Sequence, residues 1–324
     1  MSRLASSATS ASQRDSARAV TRRRYLLARA FAPSTLTKYV SAVRDFVVWC
    51  VEQGEDPVDM PSLDDLLTDY LHHLYESGAG RAAANCTYYG LIAQLPTLKH
   101  NLPTSLLVLR AFARLKPSVS YPPLTWELTV AIAVQLCRHG WRHAAIAALL
   151  GFDCLLRISE LVGLHVDDVA DAGDPRLNVE HTGMSLRIRK AKTGVNQWVS
   201  VRDPAVMALL RGLLAVQRQG SLFSFTAAVF RAQFKHVCRE LGLSSGYVPH
   251  SLRHGGATHL HLLRWSLEDI LMRGRWESTK SARRYVQAGR ALQIAVQHVP
   301  SHIVALARLF ASDVVSSLSL AQSH

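Results

Sequence analysis

The sequence is short of acidic residues. Its 324 residues include 24 Asp and Glu against 37 Lys and Arg, which gives a formal net charge of +13 and a pI of about 9.9. This imbalance says nothing about the fold. It favours a polyanionic partner, either nucleic acid or an anionic lipid surface.

Cysteine is scarce and forms no pattern. The five cysteines include no CxxC pair, and Cys50 and Cys154 lie in the apolar runs "FVVWC" and "GFDCLL". Such spacing is typical of buried free thiols in a reducing compartment, and it argues against a disulfide framework or a zinc finger. We therefore expect an intracellular protein.

Long hydrophobic runs are missing as well. No run approaches the roughly 18 apolar residues of a membrane span, so we expect no membrane partner. The Ser-, Ala- and Arg-rich start of the chain has no apolar segment and does not resemble a secretory signal. An organellar transit peptide, which is also rich in Arg and Ser, stays open.

The remaining sequence predicts two domains and two flanking segments. Seven arginines face one acidic residue near the start, and such a segment cannot bury enough apolar surface to fold alone. Three prolines in "KPSVSYPPLTWE" mark the best linker in the chain. We predict a basic disordered tail over 1–30, a small all-helical domain over 31–117, a linker over 118–125, a second domain over 126–300, and a C-terminal helix and tail over 301–324.

Helical periodicity dominates both predicted domains. "STLTKYVSAVRDFVVWC" predicts a helix that is capped by Ser34 or Thr35 and stopped by Gly54. Strongly apolar helices follow the linker, and a final amphipathic helix is predicted from about Ser301 to Val315. Only "SLRIRKAKTGVNQWVSV" alternates, which predicts a β-hairpin that turns near Lys192. The fold class is therefore mainly α with a small antiparallel β-sheet.

Histidines are concentrated in "VPHSLRHGGATHL". His250 and His254 have the four-residue spacing of metal ligands on a helix, but the zinc protease pattern needs Glu where Ser251 stands. His250 and Arg253 are three apart and share a helix face. A metal site, a structural helix and a phosphate site are all open on this stretch alone.

Two basic residues upstream also allow two interpretations. Arg157 lies in the apolar run "CLLRISELVGL", which we read as helical, and an arginine there is rarely buried without a partner. Either it forms an internal ion pair with Glu160, or Glu160 orients its guanidinium toward an anion. Lys192 is either a solvated turn residue or a long side chain that reaches into a groove.

Taken together, these motifs resemble the tyrosine recombinase (phage integrase-like) family. The resemblance covers about residues 33 to 300 and rests on five elements in the family's order. These are Arg157 in "LLRISEL", Lys192 in "AKTG", His250 and Arg253 in "HSLRH", Trp276 in "GRW", and Tyr285 nine residues later. The chain departs from the family's pattern in "GRW" for the common "LGH" and in the pair Gly255-Gly256. Lys190 also competes with Lys192 as the hairpin lysine.

The resemblance implies site-specific DNA recombination by a DNA-associated enzyme, of the kind that mobile elements carry. Tyr285 would attack a phosphodiester, Arg157 and Arg253 would hold its oxygens, and His250 and Lys192 would handle protons, with Trp276 as a further donor. Two guanidiniums make a metal unnecessary, so no metal, cofactor or ATP is expected.

The resemblance also implies a partner and an assembly. The two domains would form a clamp around double-stranded DNA, with the helical first domain acting as a core-binding domain. A homotetramer would assemble on two DNA sites, in the nucleus of a eukaryote and otherwise in the cytoplasm. The C-terminal helix would dock either on a neighbouring subunit or on its own domain.

Two other functions remain compatible with the residues. A type IB topoisomerase uses a similar catalytic set, although "HSLRH" and the small helical first domain favour the recombinase. A domesticated protein that binds DNA without cutting it is the alternative outside enzymes. Every catalytic position is filled, which argues against decay.

Overall fold

The structure is a computed structural model that describes residues 30–57, 62–117, 121–172, 183–191, 194–286, 289, 293 and 299–321. It confirms a mainly α fold with a small antiparallel sheet. The chain divides into two compact units, Met1–Val119 and Ser120–His324.

The first unit is helical throughout its described residues. It contains α1 (Pro33–Gln53), α2 (Leu63–Glu76), α3 (Arg81–Gln94), a 3-10 turn (Pro96–His100) and α4 (Pro103–Leu115). Their apolar faces share one core, which includes Phe46, Leu67 and Leu71 at full burial. The periodicity of the sequence predicted that this stretch is all-helical.

The ends of α1 test the predicted caps. Gly54 ends the helix with φ of 79°, in the left-handed conformation that glycine adopts without cost. Ser34 and Thr35 do not cap it, because the helix already begins at Pro33 with Ala32 as the residue before it. Proline in the first turn has no N–H to satisfy, so this start needs no side-chain cap.

The second unit contains the larger core and a three-stranded sheet. Its helices before the sheet are α5 (Trp126–Arg138), α6 (Arg142–Asp153) and α7 (Ile158–Val162). Those after it are α8 (Pro204–Val216), α9 (Ala227–Glu240), α10 (His250–Leu262), α11 (Leu267–Gly274), α12 (Thr279–Arg283), α13 (Ser301–Ser312) and α14 (Val314–Leu320).

The sheet runs in the order β1 (Val169–Asp171), β2 (Met184–Ala191) and β3 (Gly194–Val201), with both pairings antiparallel. Ala191 pairs with Gly194, which confirms the predicted hairpin. Alternate residues of β2 and β3 face the core, among them Leu186 and Val199, whereas Val195 is exposed. The first three residues of β3, which include Val195, are all exposed, and the buried positions of this strand lie in its second half.

Arg157 is not inside a helix, contrary to the sequence interpretation. α6 ends at Asp153 and α7 begins at Ile158, so Arg157 lies in the connection and precedes α7 in an extended conformation with φ of −80° and ψ of 154°. A continuous apolar run misled the periodicity argument, because buried connections and buried helices have similar composition.

The predicted C-terminal helix is broken in two. α13 ends at Ser312, and the Asp313 carboxylate accepts a hydrogen bond from the Ser316 backbone N–H at 3.0 Å, which starts α14. Both helices contact α5 of their own unit. No single described helix is long and apolar enough to cross a membrane; α13 and α14 together have the length and composition, but they are bent by 107° at their junction.

The glycine pair in α10 marks two close backbone approaches. A Cβ on Gly255 would overlap the carbonyl oxygen of Leu124, and one on Gly256 would overlap that of Phe152. Only glycine lets a helix pass backbone this closely. The departure from the family's pattern therefore has a packing cause, and it fixes α10 against the connection that precedes α5 and against the last turn of α6.

Candidate active site

The aromatic ring of Tyr285 lies against the start of α10. It stacks on His254 with the ring centroids 4.4 Å apart, and it meets His250 edge-on at 5.5 Å. The Thr258 hydroxyl donates to the Tyr285 backbone carbonyl at 3.1 Å. The HxxR spacing thus presents one helix face to the predicted nucleophile, as the sequence indicated.

Trp276 closes the other side of this group. Its ring centroid is 4.6 Å from that of Tyr285, and the Arg253 guanidinium carbon lies 4.6 Å from the Trp276 ring centroid. The indole Nε1 is buried and has no hydrogen-bond acceptor among the described residues. A buried donor without an acceptor is costly, so this N–H is available to an acceptor that enters the site.

Arg253 is fully buried, with 0% of its surface exposed. One terminal nitrogen donates to the Leu155 carbonyl and the other to the Gly274 carbonyl. Its Nε finds no acceptor among the described residues. Burial lowers the pKa of Arg253, and the nearby charges of Arg157 and Arg275 lower it further.

Three arginines surround one buried carboxylate. Glu160 accepts from Arg157 Nη1 at 2.6 Å and from Arg275 Nη2 at 2.8 Å, and Arg253 Nη1 lies 3.9 Å away. Glu160 also accepts from the Arg157 backbone N–H at 2.9 Å, which fixes the start of α7. We call these four residues, Glu160, Arg157, Arg253 and Arg275, the Glu160 cluster.

The charge of the Glu160 cluster does not balance. Burial alone would raise the pKa of Glu160, but Arg275, the hydrogen bonds from Arg157 and the charge of Arg253 together hold it below its usual value. Glu160 is therefore ionised at neutral pH, and an arginine side chain is a permanent positive charge in proteins. Three positive charges against one negative charge leave an excess of two beside Tyr285.

His250 is neutral at physiological pH. Burial lowers its pKa to about 4, and the charges of Arg253 and Arg157 act in the same direction. Its ring also meets Tyr121 edge-on, with the centroids 5.6 Å apart. A neutral imidazole has a free ring nitrogen that can accept a proton, as a general base must.

The hairpin contains two lysines that the sequence leaves as candidates for the site. Lys192 lies outside the described residues, between β2 and β3. Lys190 is described: it is exposed near the end of β2 and pairs with Val195 across the hairpin. The assignment of Lys192 as the lysine of the site stays a prediction.

Two residues of the site escaped the sequence interpretation. His254 was considered only for its four-residue spacing from His250, yet it stacks on Tyr285. Arg275 was noted only as the middle residue of "GRW", yet its guanidinium binds Glu160. The backbone of Arg275 has a φ of 54°. Spacing from His250 points to His254, but no pattern in the sequence pointed to Arg275, because it joins Glu160 across 115 residues.

A cavity of about 520 Å³ opens beside His250. Arg231 and Lys235 stand exposed on one face of α9 and contribute two positive charges to its wall. The remaining lining residues are Tyr121, Ile158, Tyr247, Val248 and Pro249. The walls combine aromatic rings with cations, which suits a polyanion that carries rings or sugars.

Comparisons with known proteins place this arrangement in a family. The profile of the Phage integrase family matches residues 129–291. Tyrosine recombinase XerC of Brucella suis biovar 1 (strain 1330) is 26% identical over 246 residues, which cover 72% of this chain and 77% of the relative.

Solved integrase structures share the fold. A lambda integrase (75–356) dimer bound to a COC' core site has a TM-score of 0.57 and 16% identity, over 83% of this chain and 94% of that chain. A lambda integrase tetramer bound to a Holliday junction has a TM-score of 0.58 and 14% identity, over 82% and 75%. Since the profile match alone spans half of its residues, this chain belongs to the phage integrase family of tyrosine recombinases.

Proposed function

We propose that this protein cuts and rejoins double-stranded DNA at specific sites, with Tyr285 as the nucleophile. The phenol oxygen attacks a backbone phosphorus, a 3′-phosphotyrosyl bond forms, and the bond to the 5′ oxygen breaks. The phosphotyrosyl bond keeps the energy of the broken phosphodiester, so the 5′-hydroxyl of a second DNA end can religate without ATP.

The excess charge of the Glu160 cluster is the observation that carries this proposal. At an effective dielectric of about 20, two unit charges 4 Å apart interact by about 4 kcal/mol. Glu160 offsets one of the three guanidinium charges, and the remaining excess favours an anion that joins the cluster. A phosphodiester that gains negative charge in its transition state fits that need, because phosphoryl transfer depends on charge neutralisation and positioning.

Proton transfer divides between two residues in this mechanism. A phenol must lose its proton to act as a nucleophile, and we assign the proton to His250, a neutral imidazole whose ring meets that of Tyr285 at 5.5 Å. The leaving 5′ oxygen needs a proton in return, which we assign to Lys192. His254 holds the phenol ring by stacking and so orients its oxygen.

Arg253 keeps donors for a phosphate. Its guanidinium has five N–H groups, of which one on each terminal nitrogen donates to the carbonyls of Leu155 and Gly274, and its Nε has no acceptor among the described residues. Arg157 is the more accessible guanidinium of the cluster, with 17% of its side chain exposed. We assign the first phosphate contact to Arg157 and add the Trp276 indole N–H as a second donor.

The rest of the chain would provide DNA affinity and assembly. Arg231 and Lys235 in the cavity beside His250 suit phosphates that flank the cleaved one. The helical first unit would close on the duplex from the side opposite the second unit, and a homotetramer would join two such sites. Because phosphate contacts release counterions, binding should weaken steeply with salt.

Covalent trapping tests the proposal. A suicide duplex made from the DNA that flanks the gene should give an adduct that survives SDS, and Tyr285→Phe should abolish it while leaving DNA binding intact. Tyr121→Phe is the matched control, since Tyr121 contacts the same two histidines, and it should keep the adduct. A wild-type protein that binds this DNA but forms no adduct would support a silent DNA-binding protein instead.

A second variant separates chemistry from binding. Arg157→Ala removes a guanidinium that faces the reacting phosphate, so cleavage should fall by at least about a hundredfold with a much smaller change in DNA affinity. Arg187→Ala, which removes an arginine outside the Glu160 cluster, should leave cleavage near the wild-type rate. Equal losses of cleavage and binding in Arg157→Ala would contradict its role. Relaxation of a plasmid without strand exchange would favour the topoisomerase alternative.

A further inference from the structure

We propose that His139, His236 and Glu240 form a binding site for a divalent transition metal ion of the Zn²⁺ type. The three side chains, which we call the surface triad, share no residue with the catalytic set. The spacing of His250 and His254 drew attention to metal binding in the sequence, but the three-residue set of metal-binding side chains among the described residues lies here.

The donor atoms of the surface triad already converge. His139 Nε2 lies 2.7 Å from one oxygen of Glu240, and His236 Nε2 lies 3.1 Å from the other. One donor atom from each side chain lies within 4.8 Å of the other two. Ligand atoms around a tetrahedral Zn²⁺ with bonds of about 2.0–2.1 Å are about 3.3 Å apart, so small side-chain movements would admit the ion.

Two separate elements hold these donors in place. His236 and Glu240 are four residues apart on one face of α9, and His139 directly follows α5. The ring of His139 stacks on Trp141 at 4.6 Å, which fixes its orientation. Pre-oriented side chains lose little freedom on binding an ion, which favours affinity.

A second layer supports the carboxylate. Gln135 Nε2 donates to the same Glu240 oxygen that faces His139, at 3.1 Å, and Arg138 donates to the Gln135 side-chain oxygen at 3.4 Å. Hydrogen bonds of this kind orient metal-binding carboxylates in known sites. Two imidazoles and one carboxylate suit Zn²⁺, Ni²⁺ or Co²⁺ rather than Mg²⁺ or Ca²⁺, which prefer oxygen donors.

The ion would act as a link between α5 and α9. α9 also carries Arg231 and Lys235, which line the cavity beside His250. A metal bridge would fasten α9 to the core helix α5 and so stabilise the folded state at the expense of the unfolded chain. The effect on stability does not depend on DNA cleavage, so the test can fail or succeed independently of the proposed function.

Metal titration of the untagged full-length protein tests this site. After removal of metal with EDTA and dialysis, Co²⁺ should bind with one equivalent and give a visible absorption band, and Zn²⁺ should displace it. Added Zn²⁺ should also raise the midpoint of thermal unfolding. Glu240→Gln and His236→Ala should each weaken Co²⁺ binding by more than the roughly 10–100-fold that the loss of an outer-layer partner costs.

The control variant is His72→Ala, because His72 is exposed on α2 and belongs to the first unit, whereas the surface triad belongs to the second. It should bind Co²⁺ as the wild type does. In EDTA all variants should unfold at a similar temperature, since the triad is partly exposed and its loss leaves no cavity. No Co²⁺ or Zn²⁺ binding by the wild type, or equal binding by Glu240→Gln, would overturn the proposal.

Discussion

The second unit contains two buried carboxylates with the same local construction. Glu160 and Asp168 each accept a hydrogen bond from the backbone N–H of the residue three positions earlier in the chain. The donor is Arg157 at 2.9 Å for Glu160 and His165 at 3.0 Å for Asp168. Each also binds more than one arginine. At Asp168 these are Arg187 and Arg189, whose Nε atoms lie 2.9 and 2.7 Å from one carboxylate oxygen.

The arginines around Asp168 and those around Glu160 differ in their exposure to water. The side chains of Arg187 and Arg189 are 35% and 41% exposed, so water solvates their excess charge. Those of Arg253 and Arg275 are 0% and 4% exposed. An excess charge that water cannot reach creates a binding site for an anion, whereas the same excess at the surface is an ordinary ion pair.

The largest predicted effect is the loss of stability when each of these carboxylates is replaced by its amide. Glu160→Gln leaves Arg253 and Arg275 buried without a counter-charge, and we expect a loss of about 3–5 kcal/mol in the free energy of unfolding. Asp168→Asn should cost about 1–2 kcal/mol, because its arginines turn to solvent. Urea unfolding measures both. Equal losses would show that burial of the arginines does not set the cost.

Lowering the pH should reduce the stability of the fold in two steps, the first from His250 and the second from the two carboxylates. The unfolded histidine has a pKa of about 6.5, and the folded one of about 4. Between these values the unfolded state binds more protons, so stability is complete above about pH 6.5 and is lost as pH falls toward 4. We expect a loss of roughly 2 kcal/mol from His250, which is partly exposed to solvent.

The carboxylates act at lower pH. The pKa values of Glu160 and Asp168 are lowered on folding, so their contribution is present above their unfolded values of about 4 and is lost as pH falls through the folded ones. Unfolding free energies at several pH values should show both steps. Burial also lowers the pKa values of His143 and His259, so they add to the upper step. His250→Asn should therefore reduce the upper step and leave the lower one unchanged, and a profile identical to that of the wild type would contradict the assignment.

The smallest predicted effect is the difference in stability between two substitutions of Arg275. With φ of 54° it adopts a conformation that costs a residue other than glycine roughly 1–2 kcal/mol. Arg275→Ala loses the contact with Glu160 and keeps the strain, whereas Arg275→Gly loses the contact and relieves the strain. The glycine variant should therefore unfold at a higher urea concentration, by about 1 kcal/mol. A glycine variant no more stable than the alanine variant would argue against this backbone conformation.

Sequence periodicity predicted the features that depend on a single helix or hairpin. The helices of the first unit, the hairpin at β2 and β3, and the shared face of His250 and Arg253 all follow from local spacing. Connections were harder to predict, because Arg157 and Asp313 interrupt helices inside apolar runs. Contacts between distant residues, such as Arg275 with Glu160 and His254 with Tyr285, depend on packing that a single sequence does not display.

The two adjacent glycines of α10 set a limit on how this protein can change. Even alanine at position 255 or 256 would drive α10 away from the carbonyl of Leu124 or Phe152, and His250 and Arg253 would move with it. In a library that carries every amino acid at both positions, selection for recombination should return glycine almost alone. Exposed neighbours on the same helix, such as His261, should tolerate many residues. Two buried glycines outside the candidate catalytic set thus constrain where His250 and Arg253 can lie.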